Sequence, residues 1–194
     1  MAKLKIGFDF DGVIGDMNEV ITEVAARHLG VTLDPKNTEN YFLRYCYGGM
    51  SLDMEKAIIN DSLTFESTKK LKPIDGAIDA LKKWQEYSQN KVTIITARES
   101  EYVLSPFINT YLEDIDHEIF YGQKKKGEIC RMLDLTHFID DFIFNLIDIA
   151  NHGILPLLFD QPYNHDLPRR LTKLVTRIYS WSHFNTYYLH WQNS

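Results

Sequence analysis

The chain has 194 residues, a hydrophobic content of 44%, a charged content of 25% and a formal net charge of −6. These values suit one soluble globular domain with room for a small insertion, and they exclude a general nucleic-acid binder, which carries a basic face. Two well-separated cysteines, Cys46 and Cys130, exclude a disulfide framework or a zinc cluster, and no apolar run reaches the roughly 20 residues of a membrane span. The N-terminal MAKLKIGFDF meets acidic residues too early for a signal peptide, so the expected location is cytoplasmic, in a reducing compartment.

In chain order, the apolar run LKIGFDF (4–10) predicts a first buried strand, and Asp9 and Asp11 stand where it stops. Like charges this close disfavour each other's ionisation, so a cation between them or a retained proton has to offset the cost. NEVITEVAARHLG (18–30) reads as a helix capped by Gly30. The loop DPKNTEN (34–40), the aromatic segment YFLRYCYGG (41–49) and the helical run SLDMEKAIIN (51–60) follow without a convincing strand. Residues 15–73 are therefore expected to form a small helical insertion on a core made of residues 1–14 and 74–194. Next come a helix at DGAIDALKKWQEYSQ (75–89), with Ile78, Leu81 and Trp84 on one face, a strand at KVTIIT (91–96) and a weaker strand at HEIFY (117–121). KGEICRMLDL (126–135) repeats the helical pattern with Ile129, Met132 and Leu133; THFID (136–140) and ILPLLFD (154–160) read as strands around a helix at IFNLIDIANHG (143–153). Alternating strands and helices argue for an α/β fold, a Rossmann-like parallel sheet with helices on both faces. The tail from Leu167 is open: Trp181, Tyr187, Tyr188 and Trp191 suit either cover for a sheet edge or a contact within a homodimer.

Four features fall at predicted C-terminal ends of strands or beside them: Asp9 with Asp11, Thr96 in IITAR, the Lys124–Lys126 run, and Asp140 with Asp141 in FIDD. Ligands of open α/β sheets bind outside those ends, so the four should meet in one crevice. Carboxylate oxygens suit Mg2+, which would neutralise the repulsion between Asp9 and Asp11. An aspartate can take up a phosphoryl group, a second can move the proton, and a threonine and a lysine can hold phosphoryl oxygens. Each piece has a plainer reading. An isolated Asp-x-Asp is usually a turn, a lysine run is usually a solvated helix start, and the aromatics of 41–47 are more often packing than base-stacking groups. The seven histidines show no metal-ligand spacing, Cys130 reads as a small apolar residue, and Asp16 reads as either a helix N-cap or a partner of the site.

In combination, DFDGV, IITAR, a lysine 14 residues before an acidic pair, and FIDD resemble the four motifs of the haloacid-dehalogenase-like phosphohydrolases, over residues 6 to about 164. The resemblance implies a Mg2+-dependent phosphomonoesterase with Asp9 as nucleophile and Asp11 as general acid/base, which also gives a backbone carbonyl to the metal. It further implies that Thr96 and the Ala97 N–H bind phosphate, that Lys126 bridges phosphate and nucleophile, and that Asp140 and Asp141 complete the Mg2+ site. The insertion at 15–73 matches the family's smaller type of cap. DGVIGDM and LFDQPYN (158–164) are similar to the 5′(3′)-deoxyribonucleotidases, although Ala97-Arg98 stands where those often carry Ser-Pro. On that reading the substrate is a nucleoside monophosphate met by Tyr41, Phe42 or Tyr45; the alternative is a sugar phosphate or phosphoglycolate. A receiver-type signalling domain shares the residue types, but its acidic pair precedes its phosphorylated aspartate, the reverse of the order here. The expected partners are a small phosphorylated molecule, with no nucleic-acid polymer and no membrane.

Overall fold

The computed structural model describes the backbone of residues 4–33 and 42–192 and the side chains as far as Tyr187. β1 (Ile6–Phe8) runs through the middle of the molecule and is buried throughout. After Asp9 the chain makes a tight turn, in which Gly15 N–H and Ile14 N–H both donate to the Phe10 carbonyl at 2.9 Å. β2 (Gly15–Asp16) leads into α1 (Met17–Leu29), where Asp16 is the N-cap, its carboxylate accepting from Asn18 N at 3.0 Å. Gly30 closes α1 in the left-handed conformation expected of a C-terminal glycine.

Three further helices follow: α2 (Leu43–Cys46), α3 (Leu52–Ser62) and α4 (Phe65–Thr68). The chain then returns through β3 (Lys72–Pro73), which pairs antiparallel with β2, so the start and end of this helical stretch are tied side by side. Ser51 and Thr64 cap α3 and α4 through side-chain oxygens. Val20, Val24, Leu43 and Ile58 from this region share the main apolar cluster with Phe8, Phe10 and Leu81 beneath it. Helices α1, α2 and α3 thus share one apolar core with the sheet.

The remaining elements are α5 (Ala77–Ser88), β4 (Val92–Ile95), α6 (Glu101–Phe107), β5 (His117–Phe120), α7 (Gly127–Met132), β6 (His137–Asp140), α8 (Ile143–Asn151), β7 (Leu155–Phe159), α9 (Arg169–Thr172), β8 (Thr176–Ile178) and α10 (Trp181–Gln192). Six strands form one sheet in the order β5-β4-β1-β6-β7-β8, and every pairing in it is parallel. Parallel neighbours need crossover connections, which the helices around the sheet supply. This is the α/β architecture expected from the alternating pattern.

Two details depart from the sequence reading. Met132, expected to face inward with Ile129 and Leu133, is 76% exposed, because α7 stops there and turns its small Gly127 and Cys130 side toward the protein. The tail, left open between two roles, adds β8 to the sheet edge and sends Trp181 and Phe184 into the core. Their rings lie 5.9 and 5.6 Å from that of Phe8, and Trp181 Nε1 donates to the Val13 carbonyl at 3.0 Å. No helix of the described residues is long and apolar enough to cross a membrane.

Candidate active site

The parallel strands end on one side of the sheet, and the chemistry gathers there. Asp9 directly follows β1, its N–H still held by the Ile139 carbonyl of β6 at 2.8 Å. Asp140 ends β6 and Asp141 follows it. Lys126, at the start of α7, reaches between them: its Nζ lies 2.8 Å from Asp9 Oδ1 and 2.8 Å from Asp140 Oδ2. Of the three consecutive lysines only this one is buried, 2% exposed, while Lys124 and Lys125 stand in solvent. Asp140 is wholly enclosed and also accepts from Phe142 N at 2.8 Å and Asn145 Nδ2 at 2.9 Å. Of about four acceptor positions on a carboxylate, three are used to fix Lys126 and the loop, leaving one.

Oxygens of Asp9, Asp140 and Asp141 all lie within 4.8 Å of one another, and all three residues are buried. Three enclosed carboxylates against one lysine leave an excess of negative charge in a poorly solvated place. Burial, then repulsion from Asp140, pushes Asp141 up to about 7, against the hydrogen bond from Tyr163 and the attraction of Lys126. Asp9 is likewise raised well above the usual carboxylate range, by burial first and by its acidic neighbours, with Lys126 opposing. Burial works against the Lys126 charge as well, but Asp140 and Asp9 outweigh it and hold the ammonium above its ordinary value. This set of hard oxygen donors with excess negative charge fits a divalent cation such as Mg2+.

Asp11 is drawn into a different arrangement. Arg98, two residues past Thr96 and 2% exposed, donates through Nε at 3.0 Å to both Asp11 oxygens and through Nη2 at 2.8 Å to Oδ1. Its Nη1 donates to Thr68 Oγ1 of α4 at 2.6 Å, and Nη2 lies 3.2 Å from Met17 Sδ of α1. One guanidinium therefore joins Asp11 to both ends of the inserted helices. Thr96 is fully buried, its Oγ1 accepting from Arg98 N at 3.1 Å, whereas Ala97 is exposed to the crevice.

A second clamp comes from the turn Pro162–Asn164 after β7. Tyr163 donates to Asp141 Oδ2 at 2.5 Å, Asn164 Nδ2 donates to the Asp141 carbonyl at 3.0 Å, and Gln161 Nε2 donates to the Gly12 carbonyl at 2.7 Å. Gly12 is required at this crossing. Its φ is +74°, and a Cβ there would sit 2.4 Å from Asp141 Oδ2 and 2.6 Å from the Tyr163 hydroxyl. Asn145, Tyr163 and Asn164 were missed as site residues. The segment LFDQPYN carried a signal for the latter two, while nothing in the local sequence marks Asn145.

Above the carboxylates lies a cavity of about 270 Å3. Asp9, Asp11, Lys126 and Asp141 form its floor, and Met17, Ile21, Leu43, Ile59 and Leu63 its far wall. Of the three aromatics expected to meet a substrate, Tyr41 lies outside the described residues, and Phe42 and Tyr45 do not line the cavity. Their rings flank Arg44, 4.7 and 4.8 Å from its guanidinium carbon, while Arg44 pairs with Glu55. The charge on Arg44 draws both rings, and Tyr45 is left 66% exposed.

Neither protein-family models nor curated protein sequences give a match to this chain. Solved structures do. A haloacid-dehalogenase-like hydrolase from Streptococcus pneumoniae superposes with a TM-score of 0.69 at 14% identity, covering 97% of this chain and 100% of the other. A HAD family hydrolase from Deinococcus radiodurans R1, solved with bound phosphate and sodium, gives 0.70 at 15% identity, with 98% and 97% covered. A predicted phosphoglycolate phosphatase from Haemophilus somnus gives 0.67 at 12% identity, with 97% and 99% covered. At these identities the likeness concerns architecture, and the chain has the haloacid-dehalogenase-like, Rossmann-type α/β fold over nearly its whole length.

Proposed function

We propose that this protein is a Mg2+-dependent phosphomonoesterase that hydrolyses a small phosphate ester through a phosphoryl group carried on Asp9. The observation that carries the reading is Lys126 bridging Asp9 and Asp140 at 2.8 Å each, beside a buried three-carboxylate cluster of which Asp9 and Asp141 line the cavity. An Asp9 oxygen attacks phosphorus while the ester P–O bond breaks, and Asp11 gives its proton to the departing alkoxide. A water then attacks phosphorus, Asp11 takes one of its protons, and the Asp9–phosphorus bond breaks to release phosphate. Lys126 and the Ala97 N–H hold the phosphoryl oxygens, with Thr96 supporting that turn through its bond from Arg98 N. A bound Mg2+ on Asp9, Asp140, Asp141 and the Asp11 carbonyl would neutralise the cluster and the incoming phosphate. Residues 15–73 serve as the cap over the ester, and the two free cysteines accord with a cytoplasmic setting.

A small ester is preferred to a nucleoside monophosphate. The nucleotide reading rests on the resemblance of DGVIGDM and LFDQPYN and expects Tyr41, Phe42 or Tyr45 at the substrate; the two of these that are described close on Arg44 instead of the cavity. Names of the structural neighbours, phosphoglycolate phosphatase among them, also favour small esters. The test is phosphate release from a panel of esters by purified protein with Mg2+, together with mass spectrometry of a quenched reaction for a phosphoryl group on Asp9. Release that stops on chelation and returns with Mg2+ is expected. Full release in excess chelator, or none from any ester, would overturn the assignment.

A further inference from the structure

The wall facing the carboxylates is apolar in a way that the phosphoryl chemistry does not require. Met17 and Ile21 come from α1, Leu43 from α2, and Ile59 and Leu63 from α3 and its end. Ile21, Ile59 and Leu63 are only half-buried, so part of their apolar surface faces the cavity and stays unpaired with protein. Covering such surface is favourable for any apolar group that enters.

Several polar atoms on the same lining already have protein partners. Ser62 Oγ donates to the Ile58 carbonyl at 2.7 Å, Asn145 Nδ2 to Asp140 at 2.9 Å, and Asn18 Nδ2 to Gln161 Oε1 at 3.4 Å. Among the described residues, Lys126 is the one cation on the lining, and it is bound between Asp9 and Asp140. Arg98 is turned onto Asp11 and Thr68, and Arg44 onto Glu55. Among the described residues, a carboxylate on the far end of the substrate would meet no unpaired cation there.

We propose that the substrate class is a phosphate monoester whose alcohol is short, uncharged and apolar, an alkyl or aryl phosphate, with Ile21, Ile59 and Leu63 determining specificity. This rests on the phosphomonoesterase reading above and sharpens it. The charged end is held at the floor, and the alcohol lies along the wall of α1 and α3.

Two measurements test it. The first is kcat/KM with Mg2+ for methyl, ethyl, propyl, butyl and phenyl phosphate, set against phosphoglycolate, glucose 6-phosphate and thymidine monophosphate. The second is competitive inhibition by the matching n-alkylphosphonates, whose P–C bond cannot be hydrolysed. Both should rise roughly three- to fourfold per methylene until the cavity is filled, with phosphoglycolate and the sugar phosphate below butyl phosphate. Leu63→Ala should let longer chains in before the plateau, and Ile59→Lys should invert the order of butyl phosphate and phosphoglycolate. Hydrolysis of the panel with a flat or falling alkyl series, or with phosphoglycolate or thymidine monophosphate preferred, overturns the proposal and leaves the phosphatase reading standing. Failure to hydrolyse any ester overturns the phosphatase reading, and the proposal with it.

Discussion

At the strand ends, Lys126, Asn145, Tyr163 and Arg98 fix four aspartates through directional, charge-assisted bonds of 2.5–3.0 Å. In the helices facing them, Ile21, Ile59 and Leu63 present apolar side chains, which make no such bonds. On the proposed function, the floor meets the phosphoryl group whatever it is attached to, whereas the wall meets only the remainder of the ester. Loss of one floor residue should damage chemistry, and loss of one wall residue should change preference.

The floor breaks most completely at Asp9. Asp9→Asn should lower turnover by on the order of 10⁴–10⁶-fold and abolish the phosphorylated protein in quenched samples. Asp11→Asn should cost about 10²–10⁴-fold while phosphonate binding persists. Turnover by Asp9→Asn near the wild-type rate would remove the nucleophile from the scheme.

Tyr163→Phe probes the support beneath Asp141. Groups that orient a metal-binding carboxylate are typically worth about 10–100-fold in metal affinity, so Mg2+ titration of activity should move by that factor, with little change in saturated turnover. An unchanged titration would show that the Tyr163 bond orients nothing of consequence.

Arg98 is where floor and wall meet, through Asp11 and Thr68. Arg98→Met should destabilise the protein by about 2–3 kcal/mol, a fall of roughly 5–10 °C in Tm. It should also lower kcat more than it raises KM, because Asp11 loses its orientation. Arg98→Lys keeps charge without the fork and should fall between the two. Equal melting temperatures would mean that the inserted helices are held by their apolar packing alone.

Acidity gives a smaller effect with a definite sign. In the metal-free protein Asp141 holds its proton up to about pH 7, whereas the unfolded chain releases it near the ordinary 3.8. Native stability should therefore decline as pH rises from about 4 to 7 through this group, and Mg2+ should restore more of it at pH 7 than at pH 5. Thermal melts with and without Mg2+ at several pH values measure this; a metal-induced gain that shrinks with rising pH would contradict it. Smallest of all is Tyr45→Ala, which removes an exposed ring stacked on Arg44. It should change stability by about 0.5–1 kcal/mol and leave ester preference as it was. A strong and selective loss of nucleotide turnover in that variant would return the aromatic segment to the site.

Much of this arrangement was legible in the chain. The run from Ile6 to Asp9, IITAR and FIDD were readable because a buried parallel strand shows as an apolar run, and a strand that ends on a carboxylate or threonine at the ligand-binding edge is conspicuous. Spacing selected Lys126 from its run of three, and burial singled out the same residue. Local chemistry also fixed the ends of α1, through the Asp16 cap and Gly30.

Tertiary structure decided what depends on partners distant in sequence. Asn145 reaches Asp140 only because α8 starts back across the end of β6, and Tyr163 reaches Asp141 only because Gly12 leaves room for the crossing. Arg98 looked like a departure from a phosphate-binding pair; folding turned it 87 residues back onto Asp11 and across to Thr68. Phe42 and Tyr45 have the composition of a base-stacking patch, yet the charge on Arg44, itself held by Glu55, claimed both rings. Residue type and spacing determine which reactions a chain can support. Which side chains remain available to a ligand is settled by the competition for partners inside the folded protein, and no stretch of sequence records that contest by itself.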